Sequence, residues 1–105
     1  MITPTAILEA VSSFYGLEIR DLRGPRRWPR ICRARAVGMY LIRETGMSFP
    51  KIGILFWKDH TSVMTAVRKA GAWLEPVGAD YDPDVAADVE KIRALLAAHD
   101  TAVAA

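Results

Sequence analysis

This 105-residue sequence contains one cysteine, no apolar run near the roughly 20 residues that span a membrane, and no glycine-rich phosphate loop ending in Lys-Ser or Lys-Thr. A single cysteine excludes an internal disulfide, and the position of Cys32 beside Ile31 predicts a small core or half-buried side chain in a reducing cytoplasm. The first residues do not form a charged stretch followed by an apolar one. We therefore expect a soluble, cytoplasmic chain without an ATPase site of the P-loop type.

Residues suited to catalysis or metal binding are also few. His60 and His99 are far apart in the sequence, so a metal site with closely spaced ligands is not predicted. The aspartates in the range 80–84 superficially resemble a calcium loop, but Pro83 interrupts them and the required glycine and bidentate glutamate are missing. The sequence predicts neither an enzyme nor a cofactor.

Charge is distributed unevenly along the chain. Residues 1–70 contain twelve Lys/Arg and five Asp/Glu, a net charge of +7, whereas residues 71–105 carry a net charge of −5. Eight arginines fall between positions 20 and 43, with Asp21 as the only acidic residue among them. A solvated charged face is one interpretation of such a segment. Nucleic acid is the favoured partner, because arginine suits phosphate and guanine edges and one-sign clustering is self-repulsive without a polyanion.

Apolar residues recur at spacings of three and four, which predicts helices and no strand. The expected helices cover residues 4–15, 31–45, 48–56 and 59–74, with Thr3, Ser48 and Asp59 as N-caps. Residues 23–30 contain two prolines and a glycine, which predicts a basic loop. Because only two residues separate Phe56 from Asp59, the last two helices should form a helix-turn-helix.

The acidic C-terminal third predicts a linker and one further helix. Residues 75–83 are rich in Pro, Gly and Asp, residues 84–99 form an amphipathic pattern, and residues 100–105 should fray. The apolar stripe of this helix consists of Val85, Val89, Ile92, Leu95 and Leu96. The stripe either docks on the domain formed by residues 1–74 or pairs with another chain, and docking is favoured because isolated short helices are marginal in water.

The run Lys58-Asp59-His60-Thr61-Ser62-Val63 places polar side chains at the start of the 59–74 helix. In isolation, Asp59 and Thr61 could serve only as caps. Together with Asp21-Leu22, Arg26-Arg27, Arg33-Ala34-Arg35, Met39 and the element 48–53 (Ser-Phe-Pro-Lys-Ile-Gly), however, this run resembles a family pattern. Residues 5–72 resemble the C-terminal DNA-binding domain (domain IV) of the bacterial chromosomal replication initiator DnaA.

The resemblance implies an all-α, Trp-repressor-like helix-turn-helix bundle that binds duplex DNA, here with a basic loop and an additional C-terminal helix. It places Asp59, His60 and Thr61 at base edges in the major groove, Pro50 at the groove wall and Arg27 in the minor groove. Backbone or supporting contacts are implied for Lys58, Ser62, Thr65, Arg35 and Arg43. Arg26 and Arg33 complete the candidate DNA-binding set.

The sequence also departs from the family pattern. Trp57 stands where the family commonly has glycines, and the turn is one residue shorter than the two-glycine form. We expect Trp57 either to pack on the core or to touch a sugar-phosphate chain. Ala36 replaces a common glutamine, and Trp28-Pro29 replaces small polar loop residues.

Three function classes follow from these observations. The favoured one is a sequence-preferring duplex DNA-binding protein that acts as a regulator of transcription or replication, or as a competitor at sites related to initiator boxes. The second is a weakly specific architectural DNA binder that uses the arginines but not Asp59 or His60. The third is a protein-interaction module whose acidic C-terminal segment contacts a protein partner.

Overall fold

The computed structural model describes the backbone of residues 2–104 and the side chains of residues 2–98. Across that range the chain forms six helices and no strand, which confirms the all-α prediction and adds one helix to the five that the sequence predicts. The helices are α1 (Pro4–Tyr15), α2 (Ile19–Arg23), α3 (Pro29–Glu44), α4 (Phe49–Phe56), α5 (His60–Trp73) and α6 (Pro83–Ala104).

Local sequence signals set most of the helix ends. The Thr3 hydroxyl accepts a hydrogen bond from the Ala6 amide at 3.1 Å, and the Ser48 side chain caps α4 in the same way. Gly16 ends α1 with a φ of +67°, a conformation in which a side chain would be strained. These capping predictions are confirmed.

Two boundaries near the basic loop differ from the prediction. α3 begins at Pro29 and not at Ile31. A helix does not use the N–H groups of its first turn, so the N–H that proline lacks is not needed there. Residues 19–23 form a short helix, whereas the sequence around Asp21-Leu22 predicts only a turn. Its capping box pairs the side chains of Glu18 and Asp21 with each other's backbone N–H groups. The loop between helices is therefore shorter than predicted and covers residues 24–28.

α3 occupies the centre of the fold and contacts α1, α2, α4 and α5. Its apolar side contributes Ala34, Val37 and Ile42, all at most 1 % exposed, to one continuous core. Phe56 at the end of α4 and Val63 near the start of α5 are fully buried in the same core. The helix-turn-helix is thus fixed to α3 from both of its helices.

The C-terminal helix is part of this core. Four residues of its stripe, Val85, Val89, Ile92 and Leu96, are buried, and α6 packs on α1 and α5. The prediction that the stripe docks on the domain is confirmed, except that Leu95 is 51 % exposed and lies off the packed side. The predicted helix 84–99 lies within α6, whose backbone continues to Ala104. The predicted frayed end, residues 100–105, includes Ala105, which lies outside the described residues.

Polar contacts reinforce the docking of the acidic segment. The Tyr15 hydroxyl donates a hydrogen bond to the Asp88 carboxylate at 2.9 Å, and burial together with this contact raises the pKa of Tyr15. Arg93 of α6 forms a bidentate pair with Glu44, at 2.8 and 3.1 Å. The Asp82 amide donates to the carbonyl of Trp73 at 2.8 Å, which ties the linker to the end of α5.

Candidate nucleic-acid interface

The turn between α4 and α5 depends on a close backbone approach at Gly53. The amide of Lys58 donates to the Gly53 carbonyl at 2.9 Å, and a Cβ at Gly53 would lie 2.4 Å from the Lys58 carbonyl oxygen. Trp57 ends α4 with a φ of +56°, which is uncommon for a large side chain. The two residues between α4 and the Asp59 cap are therefore enough to connect the helices. Gly53 has no side chain that would clash with the Lys58 carbonyl, and Trp57 adopts the left-handed conformation.

The side chain of Trp57 is 68 % exposed, so it does not pack on the core. The Arg23 guanidinium lies over its ring, 5.2 Å from the centroid. This cation–π contact holds the indole at the surface beside the turn. Of the two expectations for Trp57, core packing is wrong, and contact with a sugar-phosphate chain stays a prediction.

The first turn of α5 presents its polar side chains to solvent. Asp59 is the N-cap, and its carboxylate accepts a hydrogen bond from the Ser62 amide at 2.8 Å, as predicted. That bond is the main reason why the pKa of Asp59 is lowered, so the carboxylate is charged at neutral pH. His60, Thr61 and Ser62 are exposed, and the Thr65 hydroxyl donates to the Thr61 carbonyl at 3.1 Å.

The basic loop is anchored by a buried arginine. Arg35 of α3 is 9 % exposed, and its guanidinium donates hydrogen bonds to four backbone carbonyls. These acceptors belong to Asp21, Leu22, Gly24 and Arg26, at 2.8–3.1 Å. Desolvation by burial lowers the pKa of Arg35, although arginine remains charged in proteins. Arg35 is therefore placed to support the loop that carries Arg27.

The Lys58 side chain approaches the same loop from the other side. Its ammonium donates to the carbonyls of Arg23, Gly24 and Phe56 at 2.7, 3.0 and 3.3 Å. Burial lowers its pKa first, and the nearby positive charges of Arg35 and Arg27 lower it further. Buried Arg35 and half-buried Lys58 thus both donate to main-chain oxygens of residues 21–26.

A groove of about 690 Å³ runs between the basic loop with α3 on one side and α5 on the other. Seven candidate DNA-binding residues line it: Arg27, Arg35, Lys58, Asp59, Thr61, Ser62 and Thr65. Cys32, Ala36 and Met39 of α3 also contribute to its walls. The fold therefore joins residues that are more than 30 positions apart into one concave, mainly basic surface.

Lys69 is a groove residue that the sequence analysis missed. It lines the groove with Trp73, and its ammonium lies 5.7 Å from the centroid of that ring. Thr61, Thr65 and Lys69 follow each other at intervals of four residues, so helical periodicity places them on one side of α5. That spacing was a usable signal, and it extends the candidate surface by two further turns of the helix.

Five other candidates lie outside the groove lining. His60 and Pro50 are exposed at the first turns of α5 and α4. Arg26 lies over the ring of Trp28, with its guanidinium carbon 5.0 Å from the centroid. The guanidinium of Arg43 donates to the Met47 carbonyl at 2.8 Å and lies 4.3 Å from the centroid of the Phe49 ring.

Arg33 lies in a different place from the rest of the basic set. It forms a 3.6 Å ion pair with Asp82 and lines a separate depression of about 430 Å³ together with Arg30 and Asp88. The Arg30 guanidinium donates to the carbonyl of Tyr15. The arginine-rich segment therefore contributes to two surfaces, and only one of them adjoins α5.

The next features are membrane-spanning helices and metal sites. None of the described helices is long and apolar enough to cross a membrane. Among the side chains that the structure describes, no group of three or more His, Cys, Asp or Glu residues could hold a metal ion.

Comparison with known proteins agrees with the resemblance noted in the sequence. The family model described as bacterial DnaA protein helix-turn-helix matches residues 4–70. The chain is also similar to the chromosomal replication initiator proteins DnaA of Neisseria meningitidis and Neisseria gonorrhoeae. Each is 38 % identical over 98 residues, a match that covers 91 % of this chain and 18 % of the relative. The chain therefore spans less than a fifth of the length of these relatives, and it belongs to the bacterial DnaA helix-turn-helix family.

Proposed function

We propose that this protein binds double-stranded DNA with a sequence preference related to that of initiator boxes. The observation that carries the proposal is the groove in which the start of α5 faces a basic loop. Helix-turn-helix proteins read base edges with the N-terminal residues of the second helix, here Asp59 to Ser62. Membership in a family of DNA-binding helix-turn-helix domains supports the same function.

The chemistry of each element suits a different part of the duplex. A charged Asp59 can accept a hydrogen bond from cytosine N4, and the methyl group of Thr61 can contact a thymine methyl. Arg27, on the exposed loop, suits a narrow A·T-rich minor groove with its enhanced negative potential. Exposed Arg43 and Lys69 supply positive charge for phosphates, although Arg43 would have to leave the Met47 carbonyl.

We further propose that the chain acts without catalysis, as a regulator of transcription or replication or as a competitor at initiator-like sites in the nucleoid of the cytoplasm. The sequence has no phosphate loop, so occupancy of DNA is the activity that its groove supports. Any protein partner of the acidic segment would meet exposed carboxylates such as Asp84 and Glu90. Four of the five residues in the apolar stripe of α6 are already buried in the core.

Selection of bound duplexes from a random pool, followed by anisotropy titrations of the best site and a scrambled control, tests this function. We expect one enriched motif and binding that weakens with salt, because phosphate neutralisation releases counterions. Six to ten phosphate contacts would lower affinity by about 10³–10⁵ between 50 and 200 mM salt. The slope should be shallower here, since Arg35 and Lys58 are engaged with carbonyls.

The outcome also separates the alternative functions. Salt-sensitive binding without an enriched motif would indicate an architectural DNA binder. Absence of binding at about 50 mM salt would contradict the proposal and leave a protein-interaction module as the remaining class.

A further inference from the structure

We propose that Lys58 is a positioning residue, which ties the basic loop to the first turn of the recognition helix so that Arg27 and α5 engage DNA as one unit. This inference rests on the proposed DNA-binding function and adds a role for a residue that does not itself need to touch DNA. It concerns the alignment of two parts of the interface that are more than 30 residues apart in the sequence.

The backbone of Lys58 belongs to the recognition helix end of the structure. Its amide donates to the Gly53 carbonyl at 2.9 Å, and the next residue, Asp59, is the N-cap of α5. The position of the Lys58 Cα is therefore set by the tight turn and by the cap. A hydrogen bond from the Lys58 side chain therefore fixes its acceptor relative to the start of α5.

The side chain holds the loop. Two of its three acceptors are the carbonyls of Arg23 and Gly24, at the point where α2 ends and the loop begins. Arg27 follows Gly24 by three residues, so the placement of Gly24 affects where the Arg27 side chain starts. An ammonium has three N–H donors, and the Phe56 carbonyl takes the third.

This full set of acceptors distinguishes Lys58 from an ordinary phosphate-binding lysine. A phosphate oxygen would have to displace one of three carbonyls that already satisfy the ammonium. Such a half-buried, fully hydrogen-bonded cation contributes mainly by fixing geometry. Exposed cations of the same surface, such as Lys69, have no comparable set of main-chain acceptors among the described contacts.

The structure separates the role of Lys58 from that of Arg35. Arg35 holds the same loop, including the Gly24 carbonyl, but from the central helix α3. Loss of the Lys58 ammonium should therefore leave the loop attached to the body of the domain and release it only from the start of α5. This makes Lys58 the residue in which the coupling can be tested without unfolding the protein.

The experiment is a double-mutant cycle in the full chain, read by anisotropy on the selected site and on a duplex with a G·C-rich flank. Lys58→Met keeps the length of the side chain and removes its charge, and Lys91→Met on α6 is the matched charge control. Lys58→Met is combined with Arg27→Ala and, separately, with Arg43→Ala. Hydrogen exchange of the Gly24 amide, which donates to the Arg20 carbonyl at 2.8 Å, is measured without DNA.

We expect Lys58→Met to weaken binding about tenfold and to reduce the preference for an A·T-rich flank, although Arg27 is still present. The combined loss with Arg27→Ala should fall short of the product of the single losses by about fivefold or more, whereas losses with Arg43→Ala should multiply. Exchange of the Gly24 amide should become faster while amides of α1 keep their protection. Lys58→Arg keeps the donors and should restore most of the flank preference.

Three results would overturn the inference: simple multiplication of the Lys58 and Arg27 losses, unchanged exchange of the Gly24 amide, or a Lys58→Met effect equal to that of Lys91→Met. Equal losses on both flanks with a salt slope reduced by about one would also overturn it, since that pattern marks a direct phosphate contact. If the wild-type chain has no site preference, the proposed function fails, and hydrogen exchange alone still decides whether Lys58 anchors the loop.

Discussion

The two halves of the interface are held in place in different ways. The polar residues at the start of α5 are positioned by the helix itself, with one cap from Asp59 and hydrogen bonds that span three or four residues. The loop 24–28 has no regular structure, and its main-chain oxygens are held by Arg35 and Lys58 from other parts of the chain. The recognition helix thus depends on local sequence, whereas the loop depends on tertiary contacts.

The largest expected effect concerns the support behind the recognition helix. Removal of residues 76–105 deletes α6, which packs on α1 and α5 and buries four apolar side chains. Each such side chain contributes roughly 1.5–3 kcal/mol, so the sum is comparable to the whole stability of a small domain, about 5–15 kcal/mol. We expect a large drop in Tm by circular dichroism and weaker DNA binding.

The same truncation tests whether the acidic segment inhibits DNA binding, because its net charge of −5 could compete with phosphates for the basic loop. A shortened chain that keeps its Tm and binds DNA more tightly would show that the acidic segment competes with phosphate. A shortened chain that stays folded and binds DNA no more tightly than the full chain would exclude the inhibitory role.

The second effect concerns the loop. Arg35→Met removes hydrogen bonds to four carbonyls, and bonds to charged groups contribute roughly 1.5–3 kcal/mol each. Partial solvation of the released loop offsets part of this, so we expect a loss of about 3 kcal/mol and a Tm lower by more than about 10 °C. Arg20→Met, an exposed arginine of α2, is the control and should change Tm little. Equal effects of the two changes would contradict the anchoring role of Arg35.

The third effect concerns base reading by the helix. Asp59→Ala should reduce discrimination at particular base pairs by about tenfold to a hundredfold, because a directed hydrogen bond to a base edge is lost. His60→Ala should act in the same range, whereas Arg43→Ala should weaken all sequences similarly. Competition titrations with single-base variants of the selected site measure this. An unchanged site preference in Asp59→Ala would favour the architectural function.

A smaller effect is expected from Arg27→Ala. The loop arginine should contribute mainly on A·T-rich flanks, where the narrow minor groove attracts it, by a few-fold in affinity. Paired titrations on A·T-rich and G·C-rich flanks give the ratio. Equal losses on both flanks would place Arg27 on phosphates instead.

The smallest effect is the pH dependence of the cap. The folded-state pKa of Asp59 lies below its ordinary value of 3.8, chiefly because of the Ser62 amide. The stabilisation by this carboxylate is therefore complete above pH 3.8 and is lost as the pH falls through the lower, folded-state pKa. The difference in Tm between the wild-type chain and Asp59→Asn should shrink over that acidic range. A difference that is constant with pH would show that the cap does not depend on charge.

The contrast between helix and loop also explains what the sequence could predict. Caps, apolar periodicity and the two-residue gap before Asp59 are local signals, and they located α1, α4 and α5 closely. The apolar stripe of α6 predicts its docking. The exposure of Leu95 depends on which side of α6 faces α1 and α5, and the stripe alone does not show this. The start of α3 was missed because Pro29 was counted as a loop residue, although proline suits a first helical turn.

The candidate site was less accessible to sequence reasoning. Arginine density could not show that Arg35 is buried, or that Arg33 faces a different depression with Asp82 nearby. Both facts depend on which side of α3 meets the core. The role of Lys58 toward the Arg23 and Gly24 carbonyls joins residues 34 and 35 positions apart, and no local pattern encodes it.

The way in which the loop is anchored has a consequence for its response to electrolytes. Arg35 and Lys58 interact with main-chain dipoles and not with carboxylates, so these are ion–dipole contacts at short range in a partly desolvated place. Mobile ions screen exposed charges over about 10 Å at 0.1 M but reach buried contacts far less. Salt that releases DNA from the groove should therefore leave the loop in the same conformation. The DNA-free protein should then rebind DNA without refolding of the loop.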